Sequence, residues 1–91
     1  MKLAPWKVFL NPGWEIHFKH FDVSVQAIIS KKLEQLQNPL RSRGLQHSRY
    51  LVEEVGQYRI AFIQDEKERI RTVYFVGNHK QYEKWFSELE E

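Results

Sequence analysis

The apolar positions change period along the chain, and each change marks an element. Trp14-Glu15-Ile16-His17-Phe18 alternates apolar and polar residues. A period of two predicts a strand, with Trp14, Ile16 and Phe18 facing the core and Glu15 and His17 facing out. From Asp22 the spacing lengthens: Val25, Ile28, Ile29, Leu33 and Leu36 recur every three or four residues. That spacing predicts a helix over residues 22 to 37, with Asp22 as its N-cap. Asn38-Pro39 ends it, because the residue before a proline is pushed out of helical geometry. Residues 38 to 47 hold turn formers and the exposed charges Arg41 and Arg43, and read as a loop.

Period two returns at Ser48. Tyr50 and Val52 share one face of a strand, with Leu51 and Glu53 on the other. Gly56-Gln57 reads as a hairpin turn, where Gly can take positive φ. In the next run Tyr58, Ile60, Phe62 and Gln64 lie opposite Arg59, Ala61 and Ile63. Asp65 to Glu68 is a second turn, and residues 69 to 76 form a third strand. There Ile70, Thr72, Tyr74 and Val76 alternate with Arg69, Arg71, Val73 and Phe75, so both faces carry large apolar groups, as in a covered central strand. Asn78 can cap a last helix from His79, whose apolar stripe is Tyr82, Trp85, Phe86 and Leu89. Glu88, Glu90 and Glu91 stand at its C-terminal end, where the helix dipole disfavours them. Pro5, Pro12 and Gly13 break the first 13 residues, which read as an N-terminal extension with one short extended piece around Trp6, Val8 and Leu10. The expected architecture is α+β. An antiparallel sheet of about four strands carries the long helix on one face, with a short helix at the C-terminus.

Ninety-one residues suit a single domain, here 14 to 91 after the extension. The chain has no cysteine, so six Phe, four Tyr and three Trp must supply the core that no disulfide can staple. No long apolar run or basic-apolar leader is present, so no membrane partner is expected and a cytoplasmic location is. The net charge of +2 hides an asymmetry. Residues 1 to 82 hold thirteen Lys/Arg against eight Asp/Glu, while residues 83 to 91 hold one against four. The basic body favours an anionic partner, nucleic acid first.

Phosphate-loop, dinucleotide and nucleophile-elbow signatures are absent, which lowers nucleotide-fold and serine-hydrolase readings. His17 and His20 lack the spacing and the carboxylate partners of a metal site, and no cofactor or metal is expected. The group that can carry chemistry is Arg59, Arg71, His79, Lys80 and Tyr82. Pairing symmetric about the second turn sets Arg59 near residue 74 and Arg71 near residue 62. His79 stands at a helix N-terminus, where free N–H groups favour an anion and the dipole favours neutral imidazole. Lys80 adds charge, and Tyr82 a hydroxyl or a stacking ring. RNA cleavage needs a base for the 2′-OH, an acid for the leaving 5′-oxygen and cations at phosphorus, and these residue types suffice without a metal. A solvated histidine beside a core tyrosine, with arginines as surface charge, accounts for the same residues.

The run Val55-Gly56-Gln57-Tyr58-Arg59-Ile60-Ala61-Phe62 resembles the strand pair of the RelE/ParE superfamily of type II toxins. Phe75-Val76-Gly77-Asn78-His79-Lys80-Gln81-Tyr82-Glu83-Lys84-Trp85 resembles the ending of its HigB-like members, and Leu36 with Asn38-Pro39 the close of the family's second helix. The resemblance spans residues 14 to 86. It implies a RelE-like fold and an mRNA interferase, an endoribonuclease that cuts mRNA on the ribosome and inhibits translation until a cognate antitoxin neutralises it. By position it implies Arg59 at the scissile phosphate, His79 as the basic catalytic residue and Tyr82 as the C-terminal tyrosine. Arg71, Lys80 and Arg49 are accessory RNA-binding residues, and Glu53 or Glu54 a candidate acidic group. Residues 19 to 22 leave no room for the first helix of the family's usual helical hairpin. Three rivals remain: a gyrase-targeting, ParE-like toxin that would not need His79, a non-catalytic RNA-binding module, and a degenerate toxin kept as a partner for its antitoxin.

Overall fold

The computed structural model describes residues 5–38, 43–44 and 49–89; the rest of the expected loop over residues 38 to 47 lies outside these. Five strands form one mixed sheet in the order β1-β5-β4-β3-β2. They are β1 (Lys7–Leu10), β2 (Arg43–Gly44), β3 (Leu51–Val55), β4 (Tyr58–Asp65) and β5 (Ile70–Asn78). β1 runs parallel to β5, and all other pairs are antiparallel. The meander from β3 to β5 is the one the alternation predicts. Gly56, at φ 58, makes its first turn, and Arg69, at φ 56, closes the second.

The strand expected at Trp14–Phe18 does not form. Gly13, at φ 96, turns the chain, and a 3₁₀ turn follows at Phe18–His20. Trp14 and Phe18 still meet, with ring centroids 4.9 Å apart, and both pack on the core. Positions i and i+4 share a face at either period. Ile16 separates the two cases: it is 58% exposed, as a helical turn requires and a core-facing strand forbids. The edge of the sheet is instead supplied from the segment expected as an extension. Lys7 N–H donates to Arg69 O at 2.9 Å and Asn11 N–H to Val73 O at 2.8 Å, which bracket β1 along β5.

Two helices cover opposite faces. α1 (Val23–Gln35) packs on the face carrying Ile60, Phe62, Val73 and Val76, and contributes Ile29 with Leu36 just beyond its end. Asp22 holds the N-cap position without a capping side-chain bond. Ile28, expected in the buried stripe, is 56% exposed, so the stripe is narrower than its spacing suggests. Lys32 reaches across to Glu53 at 3.2 Å. α2 (His79–Leu89) packs on the other face, where Val52, Ala61 and Phe75 meet Tyr50, Tyr82 and Trp85.

A β-bulge decides what that second face carries. Ala61 pairs with Phe75 but Phe62 pairs with Val73, so Tyr74 is the extra residue. The strict alternation expected for β5 therefore breaks. Val73 and Val76 both point to α1, and Phe75 points to α2. Tyr74 meets Tyr50 edge-on at 5.7 Å. The observed register differs from the expected one: the turn pairs Asp65 with Ile70, which sets Arg71 opposite Gln64, and the bulge adds one more residue of shift, so that Arg59 lies opposite Gly77.

Candidate active site at the start of the last helix

Three local devices set the start of α2. Asn78 Oδ1 accepts the Gln81 N–H at 2.8 Å, and Gln81 Oε1 accepts the Asn78 N–H at 2.8 Å. This reciprocal capping box fixes the first turn and leaves the leading N–H groups of His79 and Lys80 facing outward. Gly77 supplies room: a Cβ there would sit 2.5 Å from Phe75 Cζ and 3.0 Å from Gln81 Oε1. The bulge then turns Gly77 and the helix start toward the face that carries Arg59.

Arg59 is held from its own hairpin. Its Nη1 donates to Gly56 O and to Tyr58 O, each at 3.0 Å, and its Nε lies 4.0 Å from Glu54 Oε1 on the paired strand. The other terminal nitrogen, Nη2, lies 3.5 Å from His79 Nδ1. His79 Nε2 lies 2.6 Å from Glu83 Oε1, one helical turn on. These partners assign the tautomer. A guanidinium cannot accept a hydrogen bond, so Nδ1 is the acceptor; a carboxylate cannot donate one, so Nε2 carries the proton. In this arrangement the Nδ1 lone pair faces the arginine. Gly56, Gln57, Arg59, Asn78, His79 and Lys80 line one open cavity of ≈ 510 Å³.

Arg59, His79 and Lys80 thus meet in one place. Tyr82 stands beside it on the same face of the sheet, 6.2 Å from Phe75 and 6.0 Å from Phe86, ring to ring. Burial pushes its phenol above the ordinary range, and the nearby Arg59 charge partly opposes this. Tyr82 is therefore a neutral hydroxyl at pH 7, a donor rather than a base.

Arg71 lies elsewhere. It is only 2% exposed, on the α1 side. Its Nη1 donates to Leu36 O and Asn38 O, each at 2.6 Å, and its Nε to Gln64 Oε1 at 3.0 Å. Trp6 stacks over the guanidinium at 4.3 Å. Burial lowers its pKa, with Glu53 opposing. So enclosed, Arg71 acts as the C-terminal clamp of α1 and does not offer its charge to a ligand. Arg49 is exposed ahead of β3 and does not line the cavity. Of the two candidate acids, Glu53 is buried against Lys32, and Glu54 stands beside Arg59. Glu83 was not singled out from the sequence, although His79 and Glu83 stand at i and i+4, the one signal that announces such a pair. Among the described residues, no three His, Asp or Glu side chains gather as a metal site.

The α+β arrangement is a RelE-like fold. The chain superposes on a chain of the RelBE2 toxin–antitoxin complex from Mycobacterium tuberculosis with a TM-score of 0.74. The match covers 85% of this chain and 94% of that one at 16% identity, a likeness of fold. No protein-family model and no curated protein sequence matches the chain. No helix among the described residues is long and apolar enough to cross a membrane.

Proposed function

We propose that this chain is the toxin of a type II toxin–antitoxin pair, and that it cleaves mRNA on the ribosome by metal-independent attack of a 2′-OH. The observation that carries the reading is the approach of Arg59 to His79 Nδ1, 3.5 Å apart beside Lys80 in one open cavity. A scissile phosphate fits between these cations and the capped start of α2, whose free N–H groups favour an anion. His79 Nδ1 takes the 2′-OH proton, and the 2′-oxygen forms its bond to phosphorus. Arg59 and Lys80 stabilise the charge that builds there. The bond from phosphorus to the 5′-oxygen breaks, and that oxygen takes a proton from a donor, for which neutral Tyr82 is the candidate. Glu83 holds the Nε2 proton in place, so that Nδ1 remains the basic nitrogen. The RelE-like fold and the sequence resemblance support the same reading. A cognate antitoxin is the expected protein partner, and the cytoplasm the expected location.

The test is expression of the chain alone, with growth, protein synthesis and mRNA ends followed together. The expected result is arrested growth with new 5′ ends in mRNA, relieved by Arg59→Ala and by His79→Ala. Uncut mRNA with damaged DNA would select a gyrase-targeting toxin instead. Toxicity undiminished in both variants would remove the proposed site.

A further inference from the structure

A second cavity, of ≈ 530 Å³, lies on the other side of α2. Trp14, Tyr74, Phe75 and Trp85 make its aromatic lining, and Ile16 stands at its rim. Gln81, Lys84, Glu88 and His17 add polar groups around these rings. The first cavity ends at Lys80, and Lys84 belongs to the second. These two lysines are one helical turn apart, about 6 Å along the axis. That distance is comparable with the step between successive phosphates of a single strand.

We propose that this cavity is a nucleobase subsite. It takes the base of an unpaired RNA nucleotide one step away from the phosphate held at Arg59 and His79. The inference rests on the cleavage reading for its position, but its chemistry stands on the cavity itself. Flat aromatic walls receive a base whatever its identity, because every base has a π-face. Gln81 Oε1 already accepts the Asn78 N–H, so its amide nitrogen is the group left to donate to a base edge. The Glu88 carboxylate accepts from exocyclic amines, as unstacked RNA bases require. The Lys80 and Lys84 ridge carries the backbone over the helix from one cavity to the other. The bulge serves this subsite too, since it turns Phe75 to the α2 face and Tyr74 into the lining.

The test is equilibrium binding of 2′-O-methyl oligonucleotides, which cannot be cleaved, read by tryptophan fluorescence from Trp14 and Trp85. A trinucleotide should bind about tenfold more tightly than a dinucleotide and quench the emission further, the scale of one base stacked on an aromatic ring. Lys84→Glu and Ile16→Glu, both at exposed positions, should abolish that gain and leave dinucleotide affinity in place. Equal affinity for the two lengths overturns the subsite, as does a gain that survives both variants. Quenching by an amphipathic peptide but not by RNA also overturns it, and marks the cavity as a protein-docking groove. A trinucleotide gain in a chain that cuts no RNA in cells upholds the subsite and removes only the cleavage reading.

Discussion

Arg71→Ala tests the division of labour among the arginines. The substitution removes two charge-assisted hydrogen bonds to the carbonyls of Leu36 and Asn38, one to Gln64, and a guanidinium stacked on Trp6. A hydrogen bond to a charged group contributes about 1.5–3 kcal/mol, and a buried carbonyl left without a donor costs about as much again. The cation–π contact adds about 0.5–2 kcal/mol. These terms overlap, since one side chain makes them all, so the expected loss is about 3–5 kcal/mol, as when one partner of a buried charged pair is removed. A domain of this size has roughly 5–14 kcal/mol in total. In urea, with a slope of about 1 kcal/mol per molar, the midpoint should fall by about 3–5 M, or the variant should be unfolded in water. Arg71→Lys keeps the charge but not the planar fork or the stack, and should recover part of the loss. A fully folded Arg71→Ala with a midpoint within about 1 M of wild type, and with weakened RNA binding, would refute the clamp and restore Arg71 as an RNA contact.

The other expectations use the same measurements. Gly77→Ala drives a methyl group into the Phe75 ring and should cost about 1–3 kcal/mol, with altered tryptophan emission as Phe75 moves against Trp85. Asn78→Ala removes half of the capping box and should cost about 1 kcal/mol, read by urea titration. For Tyr82 the folded pKa is raised, so the unfolded chain ionises first. Its contribution is fully present below the ordinary phenol pKa and is lost as pH climbs from there through the raised folded pKa, a slope that Tyr82→Phe should flatten. Glu83→Ala frees the His79 ring to change tautomer and should lower cleavage without changing the urea midpoint by more than about 0.5 M. An unchanged rate would remove Glu83 from the machinery.

What could be read in the sequence was what local pattern controls. The meander, α1 and the Asn78 cap each follow from residues close together in the chain. The same holds for Arg59 and His79, which belong to adjacent strands and the turn that follows them. What could not be read depends on distant partners. The alternation around Trp6, Val8 and Leu10 marks a short extended piece, but that Lys7–Leu10 joins the sheet depends on the edge of β5 that receives it. Trp14 and Phe18 satisfied a strand period and a helical one equally, and only the exposed Ile16 separates them. Arg71 sits between Ile70 and Thr72 like any outward-facing strand residue. Its burial follows from the carbonyls at the end of α1, more than thirty residues earlier in the chain. The bulge at Tyr74 has no signature in composition, yet it reverses the face assignment of everything after it in β5.

That reversal has a consequence for the chemistry. Had β5 kept strict alternation beyond Val73, Phe75 would face α1 and Gly77 would follow it, directing the chain into α2 away from Arg59. One inserted residue moves both to the Arg59 face, and the side chains that then crowd there explain why position 77 has no side chain. Arg59, in turn, is tethered by backbone carbonyls of its own hairpin, so its position does not depend on a ligand. The two halves of the candidate site are therefore fixed independently, one by a turn and the other by a bulge and a cap. Preorganisation of this kind is what a site needs when it must stabilise transient charge at phosphorus without reorganising. It also separates two failures in mutants: Gly77→Ala should misplace His79 while Arg59 stays tethered, and Gly56→Ala, at φ 58, should misplace Arg59 while the capping box survives. If both variants cleave at the wild-type rate, the distance between Arg59 and His79 does not govern the reaction.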